Sequence, residues 1–222
     1  MAEQIETEPK GRHLRLPARQ MEQLDRWSVP VMANMLWALM SLLILTIPLA
    51  LVGLMGVMFR WTEGQSPQVF NVFFNTIRRT WKKCYAIAVI DLIIGGLVYL
   101  NLLIFGVMEM DNVLAFLSRS ITLFVAIMLL LVNIYAWTLV SVWDVSLRHL
   151  LTSSVKLVFL QPFRGLILGA IIVAIALFST MLPVAIFIVA TGAVIGYIAS
   201  RGTSSILDRY VSPQDFRWIE LD

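Results

Sequence analysis

Apolar residues run in long uninterrupted blocks along this chain, and the polar positions gather in the segments between them. Blocks of about 20 residues are the length needed to carry a helix across roughly 30 Å of hydrocarbon. The first such block covers about residues 31–59, between Arg26 and Arg60, and contains Pro48, which predicts a kink or a tilt. The second covers 84–105, directly after Lys82 and Lys83. The third covers 120–142, between Arg119 and the Trp143-Asp144 pair. The last block, 165–199, exceeds one crossing. Ser179, Thr180 and Pro183 interrupt it, so the pattern predicts spans near 165–181 and 183–199 joined by a tight turn, with one long tilted helix as the alternative. The predicted architecture is an all-α, polytopic transmembrane bundle of about five spans.

Two of the intervening segments are periodic. In 66–83, Ser66 and Pro67 form a helix start. Phe70, Phe73, Phe74, Ile77 and Trp81 then recur on one helical side, opposite Asn71, Asn75, Arg78, Arg79 and Lys82. That division predicts a helix lying in the membrane interface, its aromatic side in lipid and its basic side, with Lys83, toward phosphates or a partner. In 145–160, Leu147, Leu150, Leu151, Val155 and Val158 oppose Arg148, His149, Thr152, Ser153 and Lys156, and Pro162 ends the run. The order span, amphipathic helix, span therefore occurs twice, as in chains built by duplication.

Composition agrees with this pattern. The 222 residues are 59% apolar and 14% charged, with mean hydropathy +0.83. A water-soluble domain carries roughly 45–50% apolar and about 25% charged residues. The single cysteine, Cys84, excludes an internal disulfide; beside Lys82 and Lys83 it reads as an interfacial thiol or a palmitoylation target.

Charge sets the expected orientation. Residues 1–27 form a polar tail, partly mobile, whose five basic and five acidic residues cancel. With five spans, the first and third loops and the C-terminal segment 201–222 share one side, carrying eleven of the 17 Lys and Arg residues. The positive-inside rule puts that side in the cytoplasm and the N-terminus outside.

Candidate chemistry is sparse. Asp91 is the one formal charge well inside a predicted span, a costly placement that marks a function, a partner or a water-filled cavity. Asn101 falls about 80° from it around the helix, so the two define a broad polar edge facing Asn133 of the third span. Gly165 with Gly169, and Gly192 with Gly196, have the spacing that lets helices approach closely. His13 and His149 form no metal-ligand pattern, and no phosphate loop, dinucleotide fingerprint or nucleophile elbow occurs. Catalytic, cofactor and metal sites are accordingly assigned to no residue. The basic-aromatic run beside a span points to lipid and away from nucleic acid.

The turn RWTEGQ at Arg60–Gln65, the helix FNVFFNTIRRTWKK at Phe70–Lys83 and the apolar segment after it resemble the YesL-like family, small bacterial integral membrane proteins with a domain of unknown function. Pro48, Trp61, Gly64, Phe70, Phe73 and Lys83 occupy comparable places. Asp144, Leu147, Leu150, Leu151 and the run from Pro162 to Gly165 are similar to the family's second half. The resemblance covers about Leu36 to Tyr210. It implies a bacterial cytoplasmic membrane protein and an accessory role beside a carbohydrate ABC permease, with no active site to carry over. The expectation is a non-enzymatic accessory or assembly subunit surrounded by lipid and by other subunits or copies of itself. The alternative is a small transporter with Asp91 and Asn101 in a polar path.

Overall fold

The computed structural model describes the backbone of residues 18–106, 113–181 and 191–210, with side chains described within 27–105, 113–181 and 191–206. Within the described residues seven α-helices follow in order: α1 Ala18–Ser41, α2 Ile47–Thr62, α3 Val69–Gly106, α4 Val113–Val142, α5 Leu147–Leu160, α6 Pro162–Ser179 and α7 Gly192–Tyr210, with a short 3-10 turn at Ile44–Thr46. The described residues contain no paired sheet strands. Among the described residues, four segments are long and apolar enough to cross a membrane: Ile44–Thr62, Val69–Phe105, Val113–Val142 and Pro162–Ser179.

The expected first span, 31–59, is not one kinked helix. The chain reverses at Leu42–Thr46, where the Thr46 backbone N–H donates to the Leu43 carbonyl at 2.9 Å. The Thr46 hydroxyl donates to the same carbonyl at 2.8 Å, and also to that of Met40. Pro48 then lies in the first turn of α2, where a missing N–H breaks no helical hydrogen bond. The two helices return on each other, since Trp27 of α1 packs edge-on against Trp61 of α2, ring centroids 5.9 Å apart. Tyr197 of α7 also packs edge-on against Trp61, with ring centroids 5.2 Å apart. The approach to α1, the exit of α2 and part of α7 therefore share one end of the bundle. The expected N-terminus opposite the first loop assumed a single crossing there, and the hairpin removes that assumption.

The helix expected at 66–83 and the span expected at 84–105 are one 38-residue helix, α3, about 57 Å long at 1.5 Å per residue. Gly64, at φ +80°, turns the chain from α2 into it. Val69, Val72, Phe73, Thr76, Thr80 and Cys84 form its buried side at helical spacing. Two glycines bring α2 against that side. A Cβ on Gly53 would meet the Phe73 ring at 2.9 Å, and one on Gly56 would meet Thr76 Oγ1 at 2.7 Å. The first half of α3 is thus half core, and does not lie flat as an isolated interfacial helix. Cys84 is fully buried, its thiol 3.6 Å from the Thr80 hydroxyl, so it is not an accessible interfacial thiol.

α4 runs back along the second half of α3. Ser146 caps α5 by accepting from the His149 backbone N–H at 3.4 Å, and Leu150, Leu157 and Val158 turn into a core built around Leu131, Tyr135 and Leu139 of α4. Pro162 opens α6. Ser179 at the end of α6 accepts from Thr191 at 3.1 Å, which returns the chain into α7. The expected span at 183–199 begins in residues outside those described. Its described part belongs to α7, which continues to Tyr210, so 201–210 are helical. The tail at 1–17 and the end of the chain beyond 210 lie outside the described residues.

Candidate functional site

The intramembrane polar residues fall into two groups on α3, both closed by α4. Asp91 accepts from the indole of Trp137 at 3.3 Å, and Asn133, one turn earlier on α4, bonds the same carboxylate. Two neutral donors at i and i+4 on one side of α4 therefore meet this acid. Asn101 makes a second group. Its side-chain oxygen accepts from Thr122 at 2.7 Å and from Ser118 at 3.0 Å. Ten residues of helix, about 15 Å of rise, separate it from Asp91. Asn133 joins Asp91, and the structure does not unite the three into one polar edge. Interhelical hydrogen bonds of this kind join helices in lipid, each contributing about 0.6 kcal/mol.

Nearer the turn after Asn101, Arg119 of α4 donates through Nε to the Phe105 carbonyl at 2.8 Å, and through a second nitrogen to the same oxygen. At the other end of the α3–α4 pair, Lys83 and Asp144 form an ion pair at 2.7 Å. α4 is thus fastened to α3 at four levels. Trp137, Ser118 and Thr122 were not singled out in the sequence. The signal available was the i, i+4 spacing of Asn133 with Trp137, and of Ser118 with Thr122.

The basic and aromatic residues of α3 divide by face. Phe73 is core, whereas Phe70, Phe74 and Trp81 are exposed beside exposed Arg78, Arg79 and Lys82. The Lys82 ammonium stands 5.4 Å from the Trp81 ring. At successive steps of three, four or seven residues, Arg78, Lys82, Val89, Ile93, Leu97, Leu100 and Ile104 form one exposed stripe, basic at one end and apolar along the rest.

The glycine pairs face neighbours inside the chain. A Cβ on Gly165 would lie 3.4 Å from the Tyr135 hydroxyl, and one on Gly169 would lie 3.1 Å from Leu131, both on α4. On α7, a Cβ on Gly192 would collide with Asn34 Oδ1 of α1, and one on Gly196 would meet Met58 of α2 at 3.0 Å. These close approaches are intramolecular. Among the described residues, no three His, Cys, Asp or Glu side chains come together to hold a metal.

Together these features define a helical membrane protein whose spans are joined by interhelical polar pairs. Within that class, residues 31–102 match the family model described as "Protein of unknown function, DUF624". The matched stretch includes most of α1, the reversal at Leu42–Thr46, α2 and α3 as far as Leu102, and so both Asp91 and Asn101. No curated protein and no solved structure matches the chain.

Proposed function

We propose that the protein is a non-enzymatic accessory or assembly subunit of a bacterial membrane complex. The observation that carries this reading is the two-sided character of α3. Its polar groups, Asp91 and Asn101, turn toward α4 and are paired there. Its exposed stripe is left apolar from Val89 to Ile104 and basic at Arg78 and Lys82. Such a stripe suits the spans of another subunit in the bilayer and an anionic surface at the membrane boundary. The similarity to YesL-like proteins supports a bacterial cytoplasmic membrane and a carbohydrate ABC permease as the complex served. The C-terminal segment, on this reading, faces the cytoplasm.

The transporter alternative needs a polar path through the spans. The separation of Asp91 from Asn101, each with its own partners on α4, favours the subunit reading. Gentle extraction from native membranes followed by cross-linking tests it. The expected result is one defined assembly of permease size, lost when Ile93 and Leu97 are both replaced by Asn. Recovery only as a monomer, together with liposome flux abolished by Asp91→Asn, would replace this reading with the alternative.

A further inference from the structure

Tyr135 has chemistry that the packing leaves unused. It is fully buried on α4, yet its hydroxyl has no hydrogen-bond partner, and a buried donor without a partner is costly enough that most find one. The hydroxyl lies beside Gly165 at the start of α6, where a Cβ would stand 3.4 Å from the oxygen. Tyr135 lines an open cleft of about 180 Å³ between α4, α6 and α7, room for roughly six waters' share of liquid volume. Arg164, exposed in the first turn of α6, stands on the rim. Ile167 and Ile171, one and two turns further along α6, continue the wall as exposed apolar surface.

Three features therefore meet: a cation at the start of a candidate span, a buried neutral donor beneath it, and an apolar track running from it along the span. A small anion would use Arg164 and gain nothing from the isoleucines. A neutral amphiphile would cover the isoleucines and leave the guanidinium without a counter-charge. An anionic phospholipid uses all three. The cleft is too small for two acyl chains, so the chains must lie outside it against α6.

We propose that this cleft is a phospholipid-binding site. The lipid phosphate pairs with Arg164, an ester oxygen accepts from the Tyr135 hydroxyl, and one acyl chain lies along Ile167 and Ile171. This site rests on α6 being in a bilayer and is independent of the accessory role, so failure of either leaves the other standing.

The test uses the full chain in phosphatidylcholine nanodiscs with and without phosphatidylglycerol, followed by native mass spectrometry of retained lipid. Wild type retains one phosphatidylglycerol. Arg164→Gln weakens retention about tenfold, as loss of a charge-assisted hydrogen bond predicts. Tyr135→Phe, which keeps the ring and its packing, weakens it about threefold and carries the test alone if Arg164→Gln fails to insert. Arg148→Gln, on exposed α5 surface, retains lipid as wild type does. Equal retention by wild type and Tyr135→Phe would overturn the site. So would displacement of the lipid by millimolar inorganic phosphate, which would mark a site for a free anion.

Discussion

The indole of Trp27 rests edge-on against that of Trp61, 5.9 Å between centroids, and this contact decides which side of the membrane the start of α1 shares. Aromatic rings of this kind sit at bilayer interfaces. If the pair marks one interface, Leu42, Leu43, Ile44 and Leu45 at the other end of the hairpin, all exposed, lie in hydrocarbon or near the far leaflet. The expected result is that Ser28→Cys and Ser66→Cys label from the same side of sealed vesicles. Buried Cys84 should contribute little background. Labelling from opposite sides would show that α1 and α2 do not form a hairpin in the bilayer.

Asn34 locks α7 to that hairpin. Its fully buried side-chain oxygen accepts the Ala193 backbone N–H at 2.7 Å, a donor in the open first turn of α7 that has no partner within its own helix. Asn34→Leu strands that donor and should cost about 1–3 kcal/mol. Gly192→Ala forces a Cβ into the same oxygen and into the Trp37 ring, an overpacking cost of about 1–3 kcal/mol. Gly95→Ala is the control. Nothing lies within 4 Å of its Cβ position, so it should be neutral or stabilise by about 0.5–1 kcal/mol. Thermal unfolding in one detergent ranks the three, and equal destabilisation by Gly95→Ala and Gly192→Ala would refute the α1–α7 contact.

Legibility in the sequence followed the physics of each signal. Helical class, and the helical face that carries Arg78 and Lys82, followed from composition and period. The reversal at Leu42–Thr46 did not, because Ser41 and Thr46, the polar residues at this turn, are small enough to sit within an apolar run, and no Gly, Asn or Asp marks the turn as it would in water. Pro48 was the available clue, and it read equally well as a kink or as the first turn of a new helix. Phe73 joined the aromatic face by spacing, but its burial depends on Gly53 of α2, a long-range pairing with no local signature. Asp91 was visible as an anomaly and Asn133 as a polar residue facing it, but Trp137 was not: it lies on another helix, and the face it shares with Asn133 becomes meaningful only once α3 and α4 are paired.

That pairing predicts unequal effects at the two polar groups. Asn101→Ala removes the acceptor of Ser118 and Thr122, but Thr122 still donates to the Ser118 carbonyl at 2.7 Å. Its cost should stay near 0.6 kcal/mol, roughly that of one interhelical bond in lipid. Asp91→Asn keeps an acceptor for Trp137 and removes a formal charge from an apolar span, so stability should hold or rise. Trp137→Phe leaves the carboxylate with one donor fewer and should destabilise more than either. Reversible unfolding in mixed micelles measures all three, and an Asp91→Asn protein less stable than Trp137→Phe would show that the charge itself is needed.

The Lys83–Asp144 pair allows the sharpest electrostatic prediction. The two charges lie 2.7 Å apart, with the Lys83 side chain 22% exposed and that of Asp144 73% exposed. Solvent on the aspartate side screens the attraction, so the coupling energy from Lys83→Ala, Asp144→Ala and the double variant should fall within about 0.2–1 kcal/mol and shrink in high salt. Position matters more than strength. Lys83 begins the apolar half of α3 and Asp144 follows the end of α4, so the pair sets the relative height of the two helices. Lys83→Asp places two acids at this junction and should reduce stability beyond either alanine variant. The exchange Lys83→Asp with Asp144→Lys restores opposite charges at the same level and should recover most of the loss. If the exchanged protein is no more stable than Lys83→Asp alone, the lysine acts through the membrane surface and not through Asp144.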